Sequence, residues 1–275
     1  MNRNSNTYTI LYAAVLVVLV AAALAFTSIS LKEPQEANKK VEKMQNILAS
    51  FGKGDVPKGA DKNSFVEKEY EKYIVDSYAV GVDGSKKGGH NAFDIDLKAQ
   101  QKLPSKERVL PVFVANEGGK VIYILTLQGA GLWGPIWGYI AIAEDGSTVA
   151  GAVFDHKGET PGLGAEISTA VFTEQFVGKQ VFNGDAFTSV AVIKPGSVAT
   201  TPHNVDGISG GTITSQGVST MLADCLGDYK SFLLKQRSPI VEPAQPSTDS
   251  LMVDSAMNMV VEELPEEQQV AEPQQ

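Results

Sequence analysis

The sequence predicts an α+β protein in which a single N-terminal transmembrane helix is followed by an antiparallel-sheet domain with flanking helices. Three observations predict it. An uncharged stretch of 24 residues lies near the N-terminus. From Tyr78 onward the apolar residues recur with a period close to two, which is typical of strands. A long pattern of three- and four-residue spacing then follows Thr212. Strands followed by flanking helices are typical of the α+β class.

The stretch from Tyr8 to Leu31 contains no charged residue. A helix needs ~20 such residues to cross a bilayer, so the stretch is long enough for a membrane anchor. A cleaved signal peptide is the alternative, with Arg3 as its charged start and Ala23-Leu24-Ala25 as its cleavage site. We favour a retained anchor at residues 8–31 after a short flank at 1–7, because the apolar stretch continues past that site.

Residues 32–128 are predicted to form a membrane-proximal region of helices and strands. Apolar residues share one face of an amphipathic helix over Pro34–Phe51. Ser64 and Glu67 have the spacing of a capping box, which predicts the start of a second helix that runs to about Val75.

Strands, two further helices and turns follow. Glu117-Gly118-Gly119 and the segment 144–147 are typical of hairpin connections, so antiparallel pairing is expected. The predicted strands are Tyr78–Val82, Ala92–Leu97, Val109–Asn116, Val121–Leu127, Ile136–Ala143, Val149–Phe154 and Val190–Ile193. The predicted helices are Ile167–Val177 and a C-terminal helix that begins after Thr212 and runs to about Gln236.

The charge of the chain is unevenly distributed. Residues 239–275 contain eight acidic residues and no Lys or Arg, out of a whole-chain net charge of -9. We expect residues 237–275 to be a disordered acidic tail, because they are rich in Pro, Gln and Glu. The rest of the chain is close to neutral, so no nucleic-acid partner is expected. Cys225 is the only cysteine and the three histidines lack ligand spacing, so no metal site is expected either.

The segment from Asp206 to Ser215 is where we place the function. It contains three glycines and four hydroxyl side chains directly before the C-terminal helix. Unpaired N–H groups at a helix N-terminus favour a phosphate, and glycines let the backbone approach it closely. The alternative is a loop in which Ser and Thr only cap the helix.

Two other glycine-containing segments are candidates for contacts. Gly129–Gly134 matches Gly-x-Gly-x-x-Gly, but Pro135 and a strand-like run follow it, so a dinucleotide-binding site is not expected. Leu132 or Trp133 could instead lie beside an aromatic cofactor. The alternative is that Trp133 and Trp137 are core or edge aromatics, and we expect Trp137 to be structural. Glu159–Gly164 is a strand-to-helix turn or part of a ligand site.

Asp206-x-x-Ser209-Gly210-Gly211-Thr212 resembles the flavinylation motif of the FMN-binding domain family, Asp-x-x-(Ser/Thr)-Gly-Ala-Thr, with Gly211 in place of the usual Ala. The resemblance implies that Thr212 carries FMN through a phosphoester bond. It also implies that a dedicated flavin transferase attaches the group from FAD. The segment Glu159–Gly164 is similar to the family's Glu-Thr-Pro-Gly-Leu-Gly loop, which is expected near the flavin.

Several residues are therefore expected to contact covalent FMN. Leu163 would cover the ring face, while Thr160 and the glycine amides would bond its pyrimidine edge. Ser209 and Thr214 would donate hydrogen bonds to the phosphate, and Glu159 would be an acceptor within the site. The full expected set besides Thr212 is Leu132, Trp133, Glu159, Thr160, Gly162, Leu163, Gly164, Ser209, Gly210, Gly211 and Thr214.

Most of the chain resembles the C-subunit family of Na+-translocating NADH:quinone reductases. The resemblance implies an electron-transfer subunit in the bacterial inner membrane, with other subunits of the complex as partners and the FMN-binding domain (129–236) on the periplasmic face. Four lysines between residues 32 and 43 would instead place the domain in the cytoplasm by the positive-inside rule. The alternatives are the G subunit of the related Rnf electron-transport complex and a non-enzymatic exported flavin-binding domain.

Overall fold

A computed structural model describes residues 6–197 and 201–237 of the chain. The predicted acidic tail therefore lies almost entirely outside the described residues. The main element is a six-stranded sheet with the order β2-β1-β3-β4-β5-β6, in which every neighbouring pair is antiparallel. Its strands are β1 (Ile74–Gly81), β2 (Lys86–Lys87), β3 (Val109–Glu117), β4 (Lys120–Ala130), β5 (Pro135–Ala143) and β6 (Val149–His156). The predicted hairpins at 117–119 and 144–147 are confirmed. Strand β4 crosses the predicted boundary between the membrane-proximal region (32–128) and the FMN-binding domain (129–236). The two predicted regions therefore contribute strands to one sheet.

The predicted anchor and the predicted amphipathic helix form one continuous helix, α1 (Asn6–Ala49). Pro34 lies inside it and does not end it. The apolar part of α1 is long enough to cross a membrane and none of it is buried within the protein. The C-terminal part is different, because Val41, Ile47 and Leu48 are buried against the sheet.

Two local predictions after α1 are wrong. The second helix, α2 (Lys62–Tyr73), begins after Asp61, whose carboxylate accepts the Ser64 N–H at 2.9 Å, so Asp61 and not Ser64 is the cap. The predicted strand at Ala92–Leu97 is a 3₁₀ turn followed by α3 (Leu97–Gln100). Asn91 and Asp96 cap these turns by accepting nearby backbone N–H groups, which competes with strand pairing.

The sheet is buried on both faces. Alternate residues of β3 point to opposite sides, so Val112 and Val114 belong to one core and Phe113 and Ala115 to the other. The first core lies under the C-terminal helix, which spans Thr212–Arg237, and the second under α1 and α2. The α+β class and the long flanking helices are confirmed.

The predicted helix over Ile167–Val177 is broken into short pieces. A 3₁₀ turn at Gly164–Ser168, the single turn α4 (Ala170–Thr173) and a further 3₁₀ turn at Glu174–Phe176 replace it. The predicted C-terminal helix is confirmed as α5 (Thr212–Arg237), which begins one residue earlier than predicted, at Thr212 itself.

Two small pairs of strands lie outside the main sheet. One pair is antiparallel, β7 (Phe182–Asn183) with β8 (Ala186–Phe187), and neither strand was predicted. The other pair is parallel, β9 (Ala191–Ile193) with β10 (Asn204–Asp206). The predicted strand at 190–193 is therefore confirmed as β9, whereas its partner β10 was not predicted.

Cys225 lies on the buried side of α5. Its thiol contacts the backbone N–H and carbonyl of Gln128, and burial raises its pKa to about 11. Cys225 is therefore a buried packing residue of α5. An ion pair of Arg108 with Asp228, at 2.8 Å, and a hydrogen bond from the Tyr229 hydroxyl to the Pro111 carbonyl, at 2.7 Å, fix α5 on the sheet.

The two glycines inside α5 give a matched pair of expected results. A Cβ on Gly217 would lie 2.3 Å from the Ala130 carbonyl oxygen, whereas a Cβ on Gly227 would have 3.8 Å of clearance. We expect Gly217→Ala to lower the free energy of unfolding by roughly 1–3 kcal/mol through overpacking. Gly227→Ala should be neutral or stabilise by up to about 1 kcal/mol, as for alanine in an ordinary helix. Urea unfolding of both variants checks this, and equal effects would contradict the close contact at Gly217.

Candidate functional site

Three segments that are far apart in sequence meet at the carboxylate of Glu159. Its Oε1 accepts the backbone N–H of Trp133 at 2.8 Å, and its Oε2 accepts the hydroxyl of Thr214 at 2.7 Å. Glu159 is buried, so both bonds lie in a poorly solvated place where they are strong. The carboxylate therefore holds the loop after β4, the loop after β6 and the first turn of α5 together.

Glycines make this convergence possible. A Cβ at Gly131 would lie 2.5 Å from Glu159 Oε1, and one at Gly164 would lie 2.5 Å from Oε2 and 2.6 Å from the Thr214 hydroxyl. Any side chain at either position would displace the carboxylate. Gly164 is thus a packing residue of the site, whereas its predicted contact with the cofactor stays a prediction.

The first turn of α5 presents Thr212 to solvent. The Thr212 side chain is exposed, and Gly210 before it has φ +74°, which favours glycine. Within the described residues, the backbone N–H groups of Thr212 and Ile213 have no hydrogen-bond acceptor, and the first bond into the helix is Ser215 N–H to Gly211. The helix therefore begins with free donors beside an exposed hydroxyl, an arrangement suited to a phosphate.

Hydrogen bonds to Ser215, Gln175 and Ile193 fix the loop that precedes Thr212. The Ile208 N–H donates to the Ser215 hydroxyl at 3.0 Å, and the Asp206 N–H donates to the Gln175 side chain at 2.9 Å. Gly207 N–H donates to the Ile193 carbonyl at 2.7 Å, which continues the pairing of β9 with β10. The position of Thr212 is consequently set by backbone contacts and by Ser215, which lies in the predicted segment but was not in the expected set of FMN contacts.

A cavity of about 400 Å³ opens beside Thr212. Among the described residues that line it, Lys194 is the only charged one. The remaining lining residues are Val192, Ile193, Pro195, Gly207, Ile208, Ser215 and Gln216. Sequence reasoning missed Lys194 and Ile208 because the parallel pairing of β9 with β10, which brings them to α5, has no local sequence signal.

Apolar side chains stand exposed around the same site. Leu163 is 41% exposed. A Cβ added to Gly210 would lie only 2.6 Å from the Leu163 Cδ2 methyl group. Leu132 and Trp133 are 50% and 69% exposed, on the loop that Glu159 holds. The structure thus brings the three predicted segments to one end of the molecule, with Leu163 directly against the Thr212 loop. Trp137, in contrast, is half-buried beside α1.

Two of the predicted FMN contacts need correction, and two further predicted residues are exposed to solvent. The Thr214 hydroxyl is buried and donates to Glu159, so it does not face the exposed side of Thr212. The Gly162 N–H donates to Glu166 at 2.9 Å, so it is not a free donor. Ser209 is exposed next to Gly210, and Thr160 is exposed at the start of its turn, so both keep free access to a ligand.

A model of the FMN-binding domain family matches residues 131–227. The chain is also similar to proteins named as the C subunit of Na(+)-translocating NADH-quinone reductase. The relative from Pseudomonas aeruginosa is 32% identical over 256 residues, which covers 86% of this chain and 98% of the relative. The relative from Vibrio anguillarum is 31% identical over 241 residues, covering 82% and 94%.

Two crystal structures share the fold. The C subunit of Na(+)-translocating NADH-quinone reductase from Parabacteroides distasonis superposes with a TM-score of 0.67 at 45% identity, covering 74% of this chain and 96% of that chain. NqrC from Shewanella oneidensis superposes with a TM-score of 0.60, covering 73% and 99%, and at 24% identity it supports the fold alone.

Proposed function

Because the chain belongs to the family of Na+-translocating NADH-quinone reductase C subunits, we propose that it carries FMN, joined through a phosphoester to Thr212, and transfers electrons within that complex. The observation that carries the proposal is the placement of the Thr212 hydroxyl. It is exposed at the start of α5 next to unpaired N–H groups, where the family motif places its flavin-bearing threonine.

The residues around Thr212 fit an FMN phosphoester. The N–H groups of Thr212 and Ile213 are donors for phosphate oxygens, and Lys194 is a charged residue that lines the same cavity and would offset the negative charge. Leu163 offers an apolar surface for the ring system, and the exposed Ser209 hydroxyl is a further donor.

Thr212 acts as an acceptor that another enzyme modifies. No side chain within the described residues hydrogen-bonds its hydroxyl, so no base activates it. A separate flavin transferase is the partner that this chemistry needs, because attachment from FAD leaves AMP behind and requires activation of the hydroxyl from outside.

Bound FMN supplies one-electron transfer chemistry. The chain's own contribution is to hold the site in place. Glu159 fixes the two neighbouring loops, Ser215 fixes the Thr212 loop, and the covalent bond keeps an open site loaded where free flavin would diffuse away. Oxidation of NADH, reduction of quinone and movement of Na+ are assigned to other subunits, since the described part of this chain offers no dinucleotide fold and no charged residue in its span.

Intact mass spectrometry tests the proposal. The full chain co-expressed with a flavin transferase of its source organism should be heavier than its amino-acid sequence by FMN less one water. The chain expressed without the transferase should have the mass of the polypeptide alone. An unmodified mass in both preparations contradicts covalent attachment.

The outer-face location is part of the same proposal. Protease added to intact spheroplasts should cleave the chain after Leu31, whereas a cytoplasmic marker protein stays intact. If the domain is cleaved only after the membrane is opened, the domain lies in the cytoplasm. That is the location which the positive-inside rule predicts from the four lysines after the span.

A further inference from the structure

The loop that carries Leu132 and Trp133 lies at the end of the domain from which the apolar part of α1 emerges. At the opposite end, Lys53, just after α1, forms an ion pair with Glu117 beside the β3–β4 turn. Further back along α1, Lys39 and Lys43 line one cavity with Gln128 and Trp137. Helix α1 therefore runs antiparallel to β4, and its N-terminal direction points to the loop after β4.

The distances place this loop close to the membrane surface. From Lys39 back to Leu31, where the uncharged stretch ends, is roughly 12 Å of helix. From Gln128 to Ala130, at the end of β4, is roughly 7 Å, and the loop at 131–134 extends beyond it. The loop and the end of the span thus reach a similar level.

Helix α5 begins at the same end. Gly217 lies against the Ala130 carbonyl and Gly129 lies against Met221, whereas the distal Gln236 accepts the Tyr123 hydroxyl near the start of β4. Thr212, five residues before Gly217, is therefore roughly 8 Å further toward the membrane. The Thr212 site and the loop at 131–134 face the same way.

The composition of this loop suits the interfacial layer of a bilayer. The sequence Gly131-Leu132-Trp133-Gly134 has no charge and exposes its two large apolar side chains. Lys157 is exposed directly beside Gly134, with its Cβ 3.7 Å from where a Gly134 Cβ would lie. Tryptophan beside lysine is the combination that anchors proteins at the level of lipid headgroups.

We propose that Leu132 and Trp133 insert into the headgroup layer of the membrane that α1 spans, with Lys157 bonding a lipid phosphate. The contact is a second attachment of the domain to the lipid surface. It holds the Thr212 site against the membrane face instead of leaving it open to the surrounding solvent. The proposal depends on α1 being retained as an anchor and does not depend on the presence of flavin.

Fluorescence of Trp133 tests this contact in the full chain. The Thr212→Ala and Trp137→Phe substitutions remove flavin quenching and the only other tryptophan. Reconstituted into phosphatidylcholine–phosphatidylglycerol vesicles, Trp133 should emit at shorter wavelength than in the denatured chain. It should lose about half of its emission to phosphatidylcholine brominated near the headgroup end of its chains, as expected for a residue at the interface.

A tryptophan at the opposite end is the matched control. Val75 is 61% exposed on β1 beside the strand end that faces away from the span. Val75→Trp, in a chain that also carries Thr212→Ala, Trp133→Phe and Trp137→Phe, should keep its full emission in brominated vesicles and be quenched by iodide. Vesicle flotation reports anchoring by α1 separately, so loss of the anchor is distinguished from loss of the loop contact.

Two results would overturn the proposal. One is a Trp133 that is quenched by iodide in vesicles as strongly as the control, in a chain that floats with the lipid. The other is a Trp133 whose emission shifts only after the remaining subunits of the complex are added, which would assign the loop to a protein interface.

Discussion

Replacing Thr212 by alanine is expected to remove all covalently bound flavin while leaving the fold intact. The substitution deletes the only oxygen to which the proposed phosphoester is attached. The Thr212 side chain is exposed and contributes no hydrogen bond to the described structure, so the free energy of unfolding should change by no more than about 0.5 kcal/mol. In-gel flavin fluorescence after denaturing electrophoresis, with the chain co-expressed with its flavin transferase, measures the loss.

Neighbouring hydroxyls provide the controls for that result. Thr220→Ala removes an exposed hydroxyl two turns further along α5, outside the motif, and should keep the fluorescence. Thr212→Ser retains the oxygen at the same position and should keep part of it. A fluorescent band of full intensity in the Thr212→Ala chain would disprove the assignment of the attachment site.

Replacing Glu159 by alanine is expected to give the largest loss of stability of any single change at the site. The substitution leaves the buried Thr214 hydroxyl and the Trp133 N–H without their shared acceptor. Removing one partner of buried bonds of this kind should cost about 3 kcal/mol. Denaturant unfolding of the domain, followed in detergent, measures the cost, and flavin attachment at Thr212 should fall with it because the loops are released.

Two variants separate this role from a general effect of charge. Glu159→Gln retains the shape and one acceptor oxygen, so its loss should be smaller than that of Glu159→Ala. Glu174→Gln removes a carboxylate that is exposed on a nearby turn and should leave stability unchanged. If Glu159→Ala unfolds at the same denaturant concentration as the unmodified chain, the carboxylate does not hold the three segments together.

The parts of the fold in which a residue pattern repeats over several residues were predictable from the sequence. Five of the six strands of the main sheet, two hairpins and helix α5 follow from alternation, turn residues and helical spacing. The strand predicted at Ala92–Leu97 was wrong because Asn91 and Asp96 cap local turns. Strands β7, β8 and β10 are two or three residues long, which is too short to leave a period in the sequence.

The site was predictable where its chemistry is local and not where it depends on packing. The glycines, hydroxyls and start of α5 around Thr212 form one continuous motif. The meeting of Trp133, Glu159 and Thr214 is a long-range contact across more than fifty residues, and no spacing encodes it. Thr214 was therefore expected at the phosphate although its hydroxyl points inward. Lys194 was missed because only the pairing of β9 with β10 brings it to Thr212.

The unbroken course of α1 has a mechanical consequence. The helix passes from its apolar segment through Pro34 to Val41, Ile47 and Leu48, which are buried on the sheet, with no intervening linker. The domain is consequently joined to the apolar segment by helix and not by a flexible linker. On the proposed function, a change in the distance between Thr212 and a redox centre of another subunit then requires tilting or bending of α1, or movement of that subunit.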